Sequence, residues 1–359
     1  MQPRAEEAKD GDTMTKYVEP NEGVSLTRPR SSKSCTGWAP PWPGSIRSLT
    51  GRSLNQSSRA SRGPGGRPAY RPLLMFKALV IQNLYQLSDA QLEFQITDRL
   101  SFKCFLGLSD ADKSPDEKTF WAFRETLTGH QLIGPLFSLF HSALQSQGMF
   151  ARKGQRVDAT FVEVPRQRNS REDNAKIKAG ETPESWQGQP EKARQKDPDA
   201  RWTSKNGQRH YGYKNHVKVD SRSKLIEDFT VTPASVHDSQ ALGALIAPGD
   251  PTTYVNSAYT GAGCEAVFAA CKVEAKPIER AYRNKPLNGR QKRTNRARSR
   301  IRVRVEHVFA TMRMCMRAAW NRCIGLVRNQ AAIAMTNLVY NMVRFEQIAR
   351  LGPKNWRAA

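Results

Sequence analysis

The stretch RVDATFVEV, residues 156–164, marks where the chain changes from a helical to an extended period. β-Branched and apolar residues dominate it and Pro165 breaks it, which predicts a strand. Two further strands follow downstream: HYGYKNHVKVD (210–220) alternates, and KLIEDFTVTP (224–233) can pair with it as a hairpin. Beyond them the period alternates. Residues 238–246 predict a short helix and 252–259 (TTYVNSAY) a strand ended near Gly261. A helix at 263–271, a strand at 273–278, and helices at 299–316 and 329–349 complete the series.

Three strands in succession, then helix, strand, helix, strand, helix, is the element order of an RNase H-like α/β domain, although many mixed folds share it. Upstream, Leu74, Ala78, Ile81 and Tyr85 recur at helical spacing. Ser88 opens a second helix. Ser114, with Pro115 after it and Glu117 three residues on, predicts the capped start of another, with Phe120, Phe123 and Leu127 as its apolar stripe. Residues 132–147 predict a last helix before Gly148. The expected organisation is an irregular Ser/Arg/Pro/Gly-rich tail over 1–66, an all-helical region over 67–150 and an α/β domain over 151–350. Residues 166–208, basic and polar with scattered Gly and Pro, read as a long insertion or loop.

The chain has 57 Lys and Arg against 33 Asp and Glu, a net charge of +24. Residues 276–359 hold 20 basic and 3 acidic side chains, densest at RQKRTNRARSRIRVR (290–304), whereas residues 226–275 hold 1 and 6. So concentrated an excess, leading into an apolar-periodic segment, points to a polyanionic partner, most simply nucleic acid. No apolar run reaches the length of a membrane span, and the first twelve residues do not read as a secretory signal. The six cysteines show no zinc-ligand spacing, and reduced thiols in a cytoplasmic protein are expected.

A basic protein that acts on phosphodiesters needs carboxylates to hold a divalent ion, since Mg²⁺ prefers hard oxygen ligands. Asp158 lies inside an apolar strand, where an unpaired carboxylate is expensive; the alternative is an edge-strand acid facing water. Glu306 is the single acid of a basic helix with an apolar stripe at Ile301, Val305, Val308, Phe309 and Met312. On a helical wheel Arg302 lies roughly 40° and Arg313 roughly 20° from it. The arrangement suits metal and phosphate held together, or an ordinary surface Arg–Glu pair. Between these two acids the strand at 252–259 offers Asn256, an amide.

VDATFVEVPRQRN, HYGYKNHVKVD, TPASVHDSQAL, VNSAYTG and RVRVEHVFATMR, in that order, resemble the transposases of the insertion sequence five family, of the Asp-Asp-Glu class. GGRPAY, LSDAQLEFQITDRLSFKCFLGLS and SPDEKTFWAFRETL resemble the same family's helical N-terminal region. The resemblance runs from about Gly65 to Ala349 and leaves residues 1–64 unmatched, consistent with a frameshift or a misassigned start. It implies an RNase H-like catalytic core behind a helical, helix-turn-helix-type DNA-binding region. It makes Asp158, Asn256 and Glu306 the catalytic and metal-ligating positions, with Asn256 where the family has its second aspartate. It implies two Mg²⁺ or Mn²⁺ ions, and DNA contacts from Arg302 and Arg313, the latter replacing a lysine. Ser299 stands where the family has a tyrosine. Lys214, Arg298 and Arg300 are further expected DNA contacts, and Asp238 with His237 matches a supporting motif. The implied partners are double-stranded DNA, as terminal inverted repeats and target, and further copies of the chain, in the bacterial cytoplasm and nucleoid. The implied activity is metal-dependent cleavage and strand transfer, impaired by Asn256; the alternative is an inactive, DNA-binding derivative.

Overall fold

A computed structural model describes residues 69–281 and 286–352. The expected tail over 1–66 and the GGRPAY motif up to Arg67 and Pro68 lie outside these residues.

Among the described residues five helices come first. α1 (Pro72–Tyr85) starts on a first-turn proline and ends at Gln86, which is left-handed at φ 52°. α2 (Asp89–Asp98) opens at Ser88 as expected, and does so through a capping box with Gln91 as the reciprocal partner. An extended Arg99 separates it from α3 (Leu100–Leu106). α4 (Glu117–Gly129) corrects the expected cap. Its N-cap is Asp116, whose carboxylate accepts from Thr119 N at 2.7 Å, whereas Ser114 is buried and donates to the Pro115 carbonyl. The shift leaves Phe120 and Leu127 in the core. α5 (Ile133–Ser146) closes the group.

One mixed sheet follows. β1 (Gln155–Glu163), β3 (Gln208–Asp220) and β4 (Ile226–Pro233) form an antiparallel meander. β5 (Thr253–Val255) and β6 (Ala275–Pro277) extend it beyond β1 in parallel. The path β4-β3-β1-β5-β6 places β1 at the centre, and β2 (Arg201–Lys205) pairs with the beginning of β3. β5 was expected to run to Tyr259. It stops at Val255, where the chain leaves the sheet as a 3₁₀ turn (Ser257–Tyr259).

The 166–208 segment is more ordered than a loop. It holds α6 (Arg171–Ala179), a 3₁₀ turn (Glu184–Trp186), α7 (Pro190–Arg194) and β2. Few apolar residues anchor it: Ile177 and Trp186 are buried, and Asp197 accepts the Tyr213 hydroxyl at 2.8 and 2.9 Å. So sparse a stripe gives no helical period to recognise.

α8 (Ala262–Ala270) and the 3₁₀ segment Asp238–Ala244 cover one face of the sheet, where Val157 and Val255 pack with Leu242 and Phe268. α10 (Arg304–Met316) and α11 (Leu326–Leu351) cover the other. There Val217 and Val219 share a core with Phe309, Met312, Leu338 and residues of α1 and α5. Asn341 on α11 bonds both backbone groups of Ile226 at 2.8 Å. The expected single helix at 299–316 is instead α9 (Gly289–Arg302) and α10, divided at Val303. No helix of the described residues is long and apolar enough to cross a membrane, and the five described cysteines are free thiols.

Candidate active site on the central strand

Strand alternation decides what β1 shows to each side. Val157 goes to the α8 face, so Asp158 and Thr160 point to the α10 face. The parallel register pairs Gln155 with Thr253 and Arg156 with Tyr254. Val255, the last residue of β5, shares the Val157 core, and Asn256 follows it. It lies where β5 ends, the carboxyl end of a parallel strand, which in open α/β sheets is where ligands bind.

Arg302, at the end of α9, joins the two acids. Its Nη1 donates to Asp158 Oδ2 at 3.1 Å and its Nη2 to Glu306 Oε1 at 3.2 Å. Asp158 is only 8% exposed. Burial pushes its carboxyl above the usual range, against the pull of the Ala159 N–H and Arg302. The Arg–Glu pair at i,i+4 exists as the surface alternative supposed, but the same guanidinium reaches across to β1, which a helical wheel cannot show. Glu306 is exposed, in the first turn of α10.

The other expected residues divide. The Asn256 amide oxygen accepts from Ala258 N at 2.7 Å and caps the 3₁₀ turn. Arg313 donates to Thr160 Oγ1 at 2.7 Å, on the same face one pleat further along β1. Arg298 is held by the Pro277 carbonyl at 2.6 Å and packs α9 against the end of β6. Arg300 is exposed. Lys214 is on the opposite face, buried, donating to Asp238 at 2.9 Å and the Val236 carbonyl at 2.7 Å; it is an internal ion pair, not an open surface cation. Asp238 is thus occupied by Lys214, and His237 caps Ser239. Asp250 pairs with Lys218 at 3.0 Å.

One residue escaped notice in the sequence. The Tyr259 hydroxyl is buried and has no hydrogen-bond partner among the described residues. Burial first, then the charges of Asp238 and Asp158, raise its pKa well above the ordinary value. A tyrosine closing a strand-to-turn exit reads as core packing, and Tyr259 does pack in the apolar core of the α8 face; its unpaired hydroxyl alone sets it apart.

Asp158, Asn256 and Glu306 offer only oxygen donors, the kind a hard divalent cation takes. Two carry charge, and among the described residues no three His, Cys, Asp or Glu side chains group into a metal site.

Arg302→Gln has a pH signature. An acid whose folded pKa is raised destabilises the fold as pH rises through it. Removing Arg302 raises the Asp158 value further, so the loss should be about 1–2 kcal/mol at pH 8 and vanish below the unfolded value of 3.8. Urea melts at several pH values check this. An equal loss at pH 8 and pH 4 would show that Arg302 does not stabilise the carboxylate.

The mixed sheet thus carries on its central strand an acid that one arginine joins to a second acid on α10. The family model described as "Transposase DDE domain" matches residues 151–342, and the model "Transposase domain (DUF772)" matches residues 50–126. The first spans more than half of the chain, and the chain belongs to the DDE transposase family. No solved structure matches it.

Proposed function

We propose that the protein is an insertion sequence five family transposase with an RNase H-like core, acting on DNA at terminal inverted repeats and target sites with chemistry weakened at Asn256. The observation that carries the proposal is the convergence of Asp158 and Glu306 on Arg302, with Asn256 directly after the end of β5, the strand that pairs with β1. The strand order β4-β3-β1-β5-β6 supports the RNase H-like reading. It is a three-stranded antiparallel meander whose first strand is flanked by two parallel ones.

Asp158, Glu306 and Asn256 would hold Mg²⁺ or Mn²⁺, which stabilises charge on phosphate oxygens and lowers the pKa of water. Arg302 and Arg313 supply positive charge where the scissile phosphate would lie. The helices of residues 72–146 serve as the DNA-reading region, with α9 as an electrostatic flank, and two element ends imply more than one copy of the chain on the DNA. The second reading, a DNA-binding derivative without chemistry, is favoured by the single fact of an amide at position 256.

DNA binding is tested with a terminal-repeat duplex and a scrambled duplex across a salt series. The logarithm of affinity should fall steeply with the logarithm of salt, and Arg296→Gln with Arg300→Gln should lessen that slope by about 1–2 units. The repeat should retain an advantage at high salt. No binding at low salt, or equal affinity for both duplexes throughout, would sink the proposal.

A further inference from the structure

Two residues before Asp158 on the same face of β1, the protein buries a cluster of cations. Arg156 is 0% exposed. Its Nη2 donates to the Ser221 carbonyl at 2.8 Å, while Nε and Nη1 find no partner among the described residues. Arg344, on α11, donates through Nε to the Ser223 carbonyl at 2.7 Å. Guanidiniums from two elements thus converge on the β3–β4 turn. Lys224 belongs to that turn at φ 60°, with its carbonyl accepting the Tyr340 hydroxyl at 2.9 Å. Arg304, the first residue of α10, is near enough for its charge to act on both Arg156 and Lys224. Burial, then repulsion from Arg304, lowers Arg156 to about 10. Lys224 is lowered by burial and by Arg344, Arg304 and Arg156.

The carboxylate whose field reaches Arg156 is Asp220. It is already engaged: its oxygens accept from the backbone N–H of Arg152, Arg222 and Ser223 and from the Ser223 hydroxyl. Four cations around one saturated carboxylate, with two guanidinium nitrogens unpartnered, is a costly arrangement unless an anion completes it. Lys224, Arg304 and Arg344 are half-buried rather than sealed, so an anion has access.

We propose that Arg156, Lys224, Arg304 and Arg344 form a phosphate-binding pocket at the β3–β4 turn, occupied by a backbone phosphate of bound DNA. The assignment to DNA rests on the transposase reading; the assignment to phosphate does not. α9, which leads directly into Arg304, exposes Arg290, Lys292, Arg293, Arg296 and Arg300, so a duplex backbone held along α9 would continue onto the pocket.

The test compares the full chain with a Lys224→Gln, Arg304→Gln double variant, which leaves the buried Arg156 in place. Inorganic phosphate at about ten times its Kd should raise the wild-type melting temperature by about 2–4 °C over chloride of equal ionic strength, and leave the variant unmoved. In the duplex salt series the variant's slope should be smaller by about 1 unit. A phosphate response equal in both proteins, or absent from wild type, overturns the pocket; the guanidiniums would then only tie down the turn. A response confined to wild type with an unchanged DNA slope keeps the pocket and overturns DNA as its occupant. Should wild type bind no duplex, the transposase reading fails, and the phosphate arm alone decides the pocket.

Discussion

Asn256→Asp is expected to raise Mg²⁺- or Mn²⁺-dependent cleavage of terminal-repeat DNA by about a hundredfold, equivalent to roughly 2.7 kcal/mol of barrier. The substitution suits the local structure. Asn256 is an N-cap at φ −81°, ψ 174° whose side-chain oxygen accepts from Ala258 N, and aspartate is as good a cap as asparagine. What changes is charge, at the proposed centre whose Asp158 carboxyl is already raised by burial. Without metal the added repulsion should lower stability slightly. With metal the melting temperature of Asn256→Asp should rise more than that of wild type, a readout independent of turnover. Adding Glu306→Gln should return activity to the wild-type level or below. If aspartate at 256 produces neither response, the position does not belong to the centre. If the Glu306→Gln combination stays as active as Asn256→Asp alone, Glu306 is not a ligand.

Gly212→Ala is expected to destabilise the protein by about 3 kcal/mol or more. Gly212 pairs with Glu163 of β1 and Arg201 of β2, so it lies where β3 passes from one partner to the other. Its φ is 143°, and an added Cβ would stand 2.4 Å from the Val162 carbonyl oxygen, 3.1 Å from Val164 N and 3.2 Å from Glu163 Cα. All three are backbone atoms of or just beyond the strand that carries Asp158, so relief requires β1 to move. Gly207→Ala isolates the conformational part. It has φ 78° with nothing within 4 Å of a Cβ, and should cost only about 1–2 kcal/mol. Urea midpoints of the two variants make the comparison. A Gly212→Ala protein no less stable than Gly207→Ala would mean that the close strand approach is not felt.

Long, strongly periodic elements were legible in the residues. β1, the β3–β4 hairpin, α5 and α11 lie within a few residues of where their patterns put them, because each buries a full stripe or face. Shorter elements were not. The 166–208 segment hides two small helices and a strand, since Ile177, Trp186 and Tyr213 give too few anchors to make a period. The α4 cap moved from Ser114 to Asp116 because burial took the serine hydroxyl away from the helix end. The break at Val303 has no glycine or proline to announce it.

For the site the division runs along the same line. The sequence alone carried the transposase lineage, named Asp158, Asn256 and Glu306 as candidate ligands, and showed the excess of positive charge around the last of them. These depend on residue type and order, which a chain carries whether folded or not. Only the tertiary structure decided that Arg302 reaches Asp158, 144 positions away, that Lys214 is spent internally on Asp238, and that Arg156 and Arg344 meet at one turn. Those facts depend on strand register and on which face of the sheet each helix covers. Register is set by burial summed over the whole core, and no local pattern encodes it.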